Sequence, residues 1–442
     1  MAVESHAEGP ASPALSGTAL TPPPGMRDLL PPESRARRRV SELLQGVFER
    51  YGYELVTTPL FEHVEVFERG LSLDHRDLVR FVEPDSGEVA ALRPDITPQI
   101  ARVVATRMTD YPPPYRLRYE GTVIRRRRGR ARRQRQIAQV GVELIGLDGP
   151  DADLELVRLI AEAVEAVGLS DYRIELSEVG VGRALLSAHG EALLAQSAEA
   201  LARKDEALLD DILRRARVPD AERKRIAGLA HLHGRLDVLK EARALLGNTA
   251  AAPHLAQLER VSELLIAHGL GDRLGVDLGE IRGAAYYTGV SFAVFAPGPG
   301  EAVASGGRYD QLLERYGRAQ PATGAGIDLE NLLWALDHAG HSWRERPELR
   351  FVVCSQDNDA RNRAAMALRE AGLIAASLPN ADRDAALGYA KAWNYDVCID
   401  LSPARAQAVR ARDLATHDLG GEWSASNIQA LAQWARAAQH KE

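Results

Sequence analysis

The chain has 442 residues, 45% hydrophobic and 26% charged, with a net charge of −7. That is the balance of an ordinary globular protein large enough for two or three domains, and it excludes a generally basic nucleic-acid binder. Two cysteines, Cys354 and Cys398, are too few for a disulfide framework or a zinc site, and no stretch approaches the roughly 20 apolar residues of a membrane span.

Residues 1–20 are rich in Ala, Ser and Pro, without a basic segment before an apolar run. They read as a disordered tail rather than a secretory signal. Pro31 and Pro32 then introduce a helix over 33–51, with Val40, Leu43, Leu44 and Val47 at helical spacing and Gly52 at its end. ELVTTPLFEHVEVFERG follows as a strand and a short helix. Val89–Arg93 is a strand stopped by Pro94; Asp95 or Thr97 can cap the next helix, and Pro98 suits its first turn.

The most informative stretch is 115–146. Two strands, Tyr115–Ile124 and Gln136–Ile145, flank a loop in which eight of the residues 125–135 are arginine. Such a loop repels itself unless anions are near. In the second strand Ala138, Val140, Val142 and Leu144 share one face, and Gln139, Gly141 and Glu143 the other. An amide and a carboxylate flanking a glycine suit the floor of a pocket for a small polar ligand with a cationic group. The same pattern also suits a plain solvated strand face, and the arginine run a solvated loop or nonspecific phosphate binding. No aromatic residue interrupts the run, so no stacking platform for single-stranded RNA is indicated.

A helix over 148–169 and a strand over 171–179 come next. GVG at 180–182 lacks the third glycine and the Lys-Ser/Thr of a phosphate loop. Residues 183–270 are helical in pattern, with loops near 217–220 and 247–253. Strands return over 274–298, and Gly306-Gly307 permits close backbone approach to a ligand. Residues 348–442 alternate strands and helices as a small α/β domain.

These segments carry a resemblance. The motifs LRPDITPQIARVVATR, QIAQVGVELIG, EIRGAAYYTGVSF and GGRYD resemble histidyl-tRNA synthetase, a class II aminoacyl-tRNA synthetase, over about residues 20–335. The resemblance implies an α+β fold: an antiparallel sheet flanked by helices, formed by 21–182 and 271–340. It implies a helical insertion at 183–270 and, at 348–442, a degenerate anticodon-binding-like domain. It places a dimer interface at ELVTTPLFE. It implies a histidine-like pocket of Asp95, Thr97, Arg125, Gln139, Glu143, Arg282, Tyr286, Tyr287, Gly306, Gly307 and Tyr309. In that family Asp95 is a glutamate, and Ala284 and Ala285 are leucine and aspartate. Arg125 matches the arginine that grips the α-phosphate and the amino-acid carboxylate.

Two nucleotide-side positions depart from the family. Arg127 stands where synthetases have a glutamate, and Asn331 where they have the arginine that clamps the γ-phosphate. Losing two such contacts removes roughly several kcal/mol of transition-state stabilisation. The amino-acid side is kept without the adenylating side. That combination resembles a non-catalytic paralogue, the regulatory subunit of ATP phosphoribosyltransferase in histidine biosynthesis. It implies a chain with no catalytic residue, metal or cofactor, and no aminoacylation or tRNA binding. The expected partner is a short-form catalytic subunit, in a cytoplasmic hetero-octamer containing a dimer of this chain. The complex is a glycosyltransferase, with histidine as feedback effector. The alternatives are a histidyl-tRNA synthetase, and another amino-acid-sensing or RNA-binding paralogue.

Overall fold

The computed structural model describes residues 20–71, 78–125, 134–281, 286–341, 343, 348–402, 405–420 and 423–437. The expected tail and most of the arginine loop, including Arg127, lie outside them. The chain divides into two compact units, Met1–Arg344 and Glu345–Glu442.

The first unit begins with α1 (Pro31–Arg50). Proline in its first turn and Glu33 near its N-terminus favour initiation, and Ala36, Val40, Leu44, Val47 and Phe48 bury one stripe. Gly52, at φ +81°, turns the chain out of it. Then come β1 (Glu54–Leu55), β2 (Phe61–His63), α2 (Val64–Gly70), β3 (Arg80–Val82), β4 (Val89–Leu92) and α3 (Thr97–Arg107). The hairpin strands β5 (Tyr115–Ile124) and β6 (Gln136–Ile145) have the bounds that alternation predicts, and α4 (Pro150–Ala166) and β7 (Arg173–Glu178) follow.

The helical stretch holds α5 (Val179–Leu186), α6 (Glu191–Ala202), α7 (Glu206–Arg215), α8 (Asp220–Gly228), α9 (Val238–Leu246) and α10 (Ala252–Ala267). A two-residue strand, β8 (His233–Gly234), interrupts it and pairs with β9 (Leu274–Asp277). GVG lies inside α5. A Cβ at Gly180 would fall 2.1 Å from the His254 ring and one at Gly182 2.4 Å from Ile281, so these glycines serve packing rather than phosphate binding. The unit closes with β10 (Val290–Phe295), β11 (Ala304–Arg308), β12 (Ala322–Asp328) and α11 (Leu329–His338).

Nine strands form one sheet in the order β1-β5-β6-β12-β11-β10-β7-β9-β8. Its centre, β5 to β7, is antiparallel; β1 on β5 and β7 on β9 are parallel. One face, with Ala138, Val140, Val142 and Leu144, packs on helices that include α1, α4 and α10, and the same apolar cluster continues into the buried sides of α6 to α9. The other meets a second cluster from α2, α3 and the tyrosines 119, 286, 287 and 309. A three-stranded sheet, β2-β4-β3, lies apart from it.

The second unit contains β13 (Arg350–Ser355), α12 (Asn358–Glu370), β14 (Ile374–Pro379), α13 (Arg383–Ala392), β15 (Val397–Ser402), β16 (Arg405–Arg410), β17 (Thr416–Asp418) and α14 (Ala425–Arg436). Its sheet runs β14-β13-β15-β16-β17, with a separate apolar cluster on each face. Asp357, Asp382 and Ser424 cap its three helices through their side-chain oxygens.

Candidate functional site: a carboxylate pocket on a glycine floor

Directly opposed residues on paired strands share a sheet face. Glu143 on β6 therefore heads a row that continues through Gly324, Gly307 and Ser291; Gly141 heads a second through Gly326, Ser305 and Ala293. Seven small residues in two adjacent rows leave a depression over the sheet. Glu143 lies in it: a Cβ at Gly324 would sit 1.6 Å from its Oε2, and one at Gly326 would sit 2.0 Å from Gln139 Nε2. The space above Gly141, expected to be the opening, is filled by Tyr119, whose ring would be 2.4 Å from a Cβ there. The missing side chains of Gly324 and Gly326 make the room that Glu143 and Gln139 occupy.

Glu143 is fully buried, contrary to the solvated-face alternative. Thr97 Oγ1 donates to its Oε1 at 2.6 Å, and the Tyr309 hydroxyl donates to its Oε2. Burial pushes its carboxyl up to about 8, against the opposing pull of the Thr97 and Tyr309 hydrogen bonds. The turn between β4 and α3 supplies the second carboxylate. Asp95 accepts from the Thr97 backbone N–H at 3.3 Å and from the Tyr286 hydroxyl at 3.0 Å. Tyr286 stands edge-on to both Tyr287 and Tyr309, with ring centroids 5.3 and 5.5 Å apart. All three tyrosines are buried.

Asp95, Thr97, Gln139, Glu143, Tyr286, Tyr287, Gly307 and Tyr309 thus share one region. Gly306 does not: it faces the other side of the sheet, where the Phe292 ring and Ala325 take the space of its missing side chain. Arg282 falls outside the described residues. Arg125 donates from Nε to Pro94 O at 2.8 Å and stands 4.0 Å from Asp95 Oδ2, at the rim. Asp95, the buried Glu143 carboxyl and an arginine at the edge suit an amino acid whose side chain carries a nitrogen able to hydrogen-bond Glu143.

Beside this region is a polar cavity of ≈ 180 Å³, bounded by Arg125, Gln139, Ser305, Glu301, Asp328 and Asn331. Asn331 is almost fully buried and donates from Nδ2 to Ala302 O at 2.9 Å. No cation therefore extends from this position into the cavity.

Several supporting residues escape a reading of the sequence. Buried Arg93 donates to Thr122 O, Thr58 O and Pro59 O, fixing the turn that presents Asp95 and Thr97. Arg183 on α5 donates to Tyr287 O. Glu330 accepts from the Ala138 N–H at 2.9 Å, tying α11 to β6. Arg308 binds Asp153 and the Gly149 carbonyl. Of these, Arg93 and Arg308 lie inside quoted motifs, LRPDITPQIARVVATR and GGRYD, but only their neighbours Asp95, Thr97, Gly307 and Tyr309 are singled out there.

Residues 25–332 match the histidyl-tRNA synthetase family. An ATP phosphoribosyltransferase regulatory subunit from Geobacter sulfurreducens is 37% identical over 394 residues, covering 85% of this chain and 88% of the relative. A protein of the same description from Anaeromyxobacter sp. (strain Fw109-5) is 46% identical over 323 residues, covering 72% and 94%. A crystal structure described as an ATP phosphoribosyltransferase regulatory subunit/histidyl-tRNA synthetase from Bacillus halodurans C superposes with a TM-score of 0.75 at 27% identity, covering 87% of this chain and 98% of that one. The chain has a class II synthetase-like α+β fold and belongs to the histidyl-tRNA synthetase-like family of ATP phosphoribosyltransferase regulatory subunits.

Proposed function

We propose that this chain is the non-catalytic subunit that activates a short-form ATP phosphoribosyltransferase and makes it sensitive to histidine, at the first step of histidine biosynthesis. The observation that carries the reading is the asymmetry of the site. The amino-acid side keeps a buried, doubly hydrogen-bonded Glu143 beside Asp95, while the cavity next to it is bounded at position 331 by a neutral asparagine held on the Ala302 carbonyl. In this reading Asp95 and Thr97 meet the α-ammonium group, Arg125 the carboxylate, Gln139 and Glu143 the amine and imidazole, and Tyr287 and Tyr309 line the imidazole pocket. Glu143 is suited to an imidazole because a carboxyl oxygen accepts from a ring N–H and a protonated carboxyl donates to an unprotonated ring nitrogen. The catalytic chemistry, a glycosyl transfer, belongs to the partner.

The working assembly is a cytoplasmic hetero-octamer containing a dimer of this chain. Phe61, Phe81, Val82 and Val89 on the three-stranded sheet, with Leu55 and Leu60 nearby, are exposed, which supports self-association. No helix among the described residues is long and apolar enough to cross a membrane. Residues 183–270 are read as an insertion in the synthetase-like core, and the second unit as a remnant of an anticodon-binding domain. That unit is the one feature favouring a working synthetase, and Asn331 weighs against it. Mixing the chain with the short-form catalytic subunit tests the proposal through phosphoribosyl-ATP formation.

A further inference from the structure

The second unit carries a feature the regulatory reading does not use. Cys354 on β13 and Cys398 on β15 lie on neighbouring parallel strands. Cys354 is opposite Asp400 and Cys398 opposite Val352, so the cysteines are diagonal neighbours on one face of the sheet. Their sulfurs are 3.9 Å apart and both are reduced. A disulfide needs about 2.05 Å, and residues two positions out of register on neighbouring strands stand roughly 8 Å apart at Cα, so closing the bond needs the strands to slide as well as the side chains to rotate. Nothing separates the sulfurs.

The pair is buried in an apolar cluster with Ala386, Leu387 and Ala390 of α13. That cover is thin. α13 has 10 residues, and Gly388 at its middle lowers its helical stability, with open space beside it. Short covering helices are where local opening occurs well below the global unfolding free energy.

We propose that Cys354 and Cys398 are an oxidisable pair, converted by a hydroperoxide into a reversible disulfide within the second unit. The Cys354 thiolate attacks a peroxide oxygen and the O–O bond breaks. Cysteine sulfenic acid forms and, with hydrogen peroxide, water leaves. The Cys398 sulfur then attacks the sulfenic sulfur and expels a second water. Two thiols are oxidised and one peroxide is reduced. Either sulfur can donate across the contact; with Cys398 donating, Cys354 is held below its ordinary value and Cys398 is pushed up, and Cys354 is then the attacking sulfur.

The test uses the full chain, reduced, desalted and exposed to a modest excess of hydrogen peroxide. Intact mass, thiol count after unfolding and peptide mapping are then followed. Both thiols should disappear together, with a mass loss of two hydrogen atoms, a linked peptide pair and recovery on adding dithiothreitol. C398S should instead accumulate sulfenic acid at Cys354, trapped by dimedone. The wild-type mass result does not depend on that variant folding. Independent gain of oxygen at the two cysteines, links between chains, or intact thiols after the methionines have oxidised would each overturn the proposal.

Discussion

Glu143 and Gly324 face each other across β6 and β12, and the carboxylate occupies the volume a side chain at 324 would need. The acid can be buried there because its neighbour has no Cβ. G324A should push Glu143 off the Thr97 and Tyr309 hydroxyls. We expect histidine affinity by calorimetry to fall at least about tenfold, about 1.4 kcal/mol, with the far-ultraviolet spectrum unchanged.

Glu143 also predicts a pH dependence. The folded protein holds its proton up to about pH 8, whereas the unfolded chain releases it near 4.5. Through that window the folded state binds the extra proton. The stability this group contributes is full below pH 4.5 and is lost as pH rises through about 8. E143Q is neutral throughout, so its stability should fall less steeply than wild type between those limits. Urea midpoints across the range measure this; parallel curves would show that Glu143 is ionised in the fold.

Arg308 and Asp153 form a buried ion pair, 2.9 Å apart and each at most 5% exposed in side chain. Burial pushes Asp153 up to about 6, against the pull of Arg308. R308M would strand the carboxylate and should cost about 3–5 kcal/mol in urea unfolding. R308M combined with D153L should recover much of that loss.

Restoring an arginine at position 331 should not create a synthetase. Asn331 is almost fully buried at the edge of the polar cavity and donates to Ala302 O, so N331R forfeits that hydrogen bond and crowds its buried neighbours, and should lose about 1–3 kcal/mol of stability. Histidine-dependent ATP–pyrophosphate exchange should stay at background, since Arg127 still stands where synthetases have a glutamate.

Phe61 and Phe81 meet edge-on at 5.3 Å on an exposed sheet face. If this face joins two copies, F61D should halve the sedimenting mass of the isolated chain while leaving its helix content intact. An unchanged mass would place the dimer contact elsewhere.

Some of this was legible in the sequence. β5 and β6 were, because ten residues of alternation leave little freedom of period. Asp95 and Glu143 were singled out through local motifs. Their burial was not, because alternation marks two faces without saying what covers each; here α3, its preceding turn and Tyr309 cover the polar one. The roles of Gly324 and Gly306 required the register across three strands, which separates two glycines adjacent to Gly307 in sequence or space onto opposite faces. Arg308 and Asp153 are 155 positions apart, and no local pattern links them. β8 is two residues long and carries no periodicity.

Reconstitution tests the central claim most directly. The purified chain is mixed with the short-form ATP phosphoribosyltransferase of the same organism, and phosphoribosyl-ATP is followed with and without histidine. The account predicts strong activation that histidine reverses, with the reversal weakened by G324A. No activation, together with histidine-dependent ATP–pyrophosphate exchange by this chain alone, would contradict it.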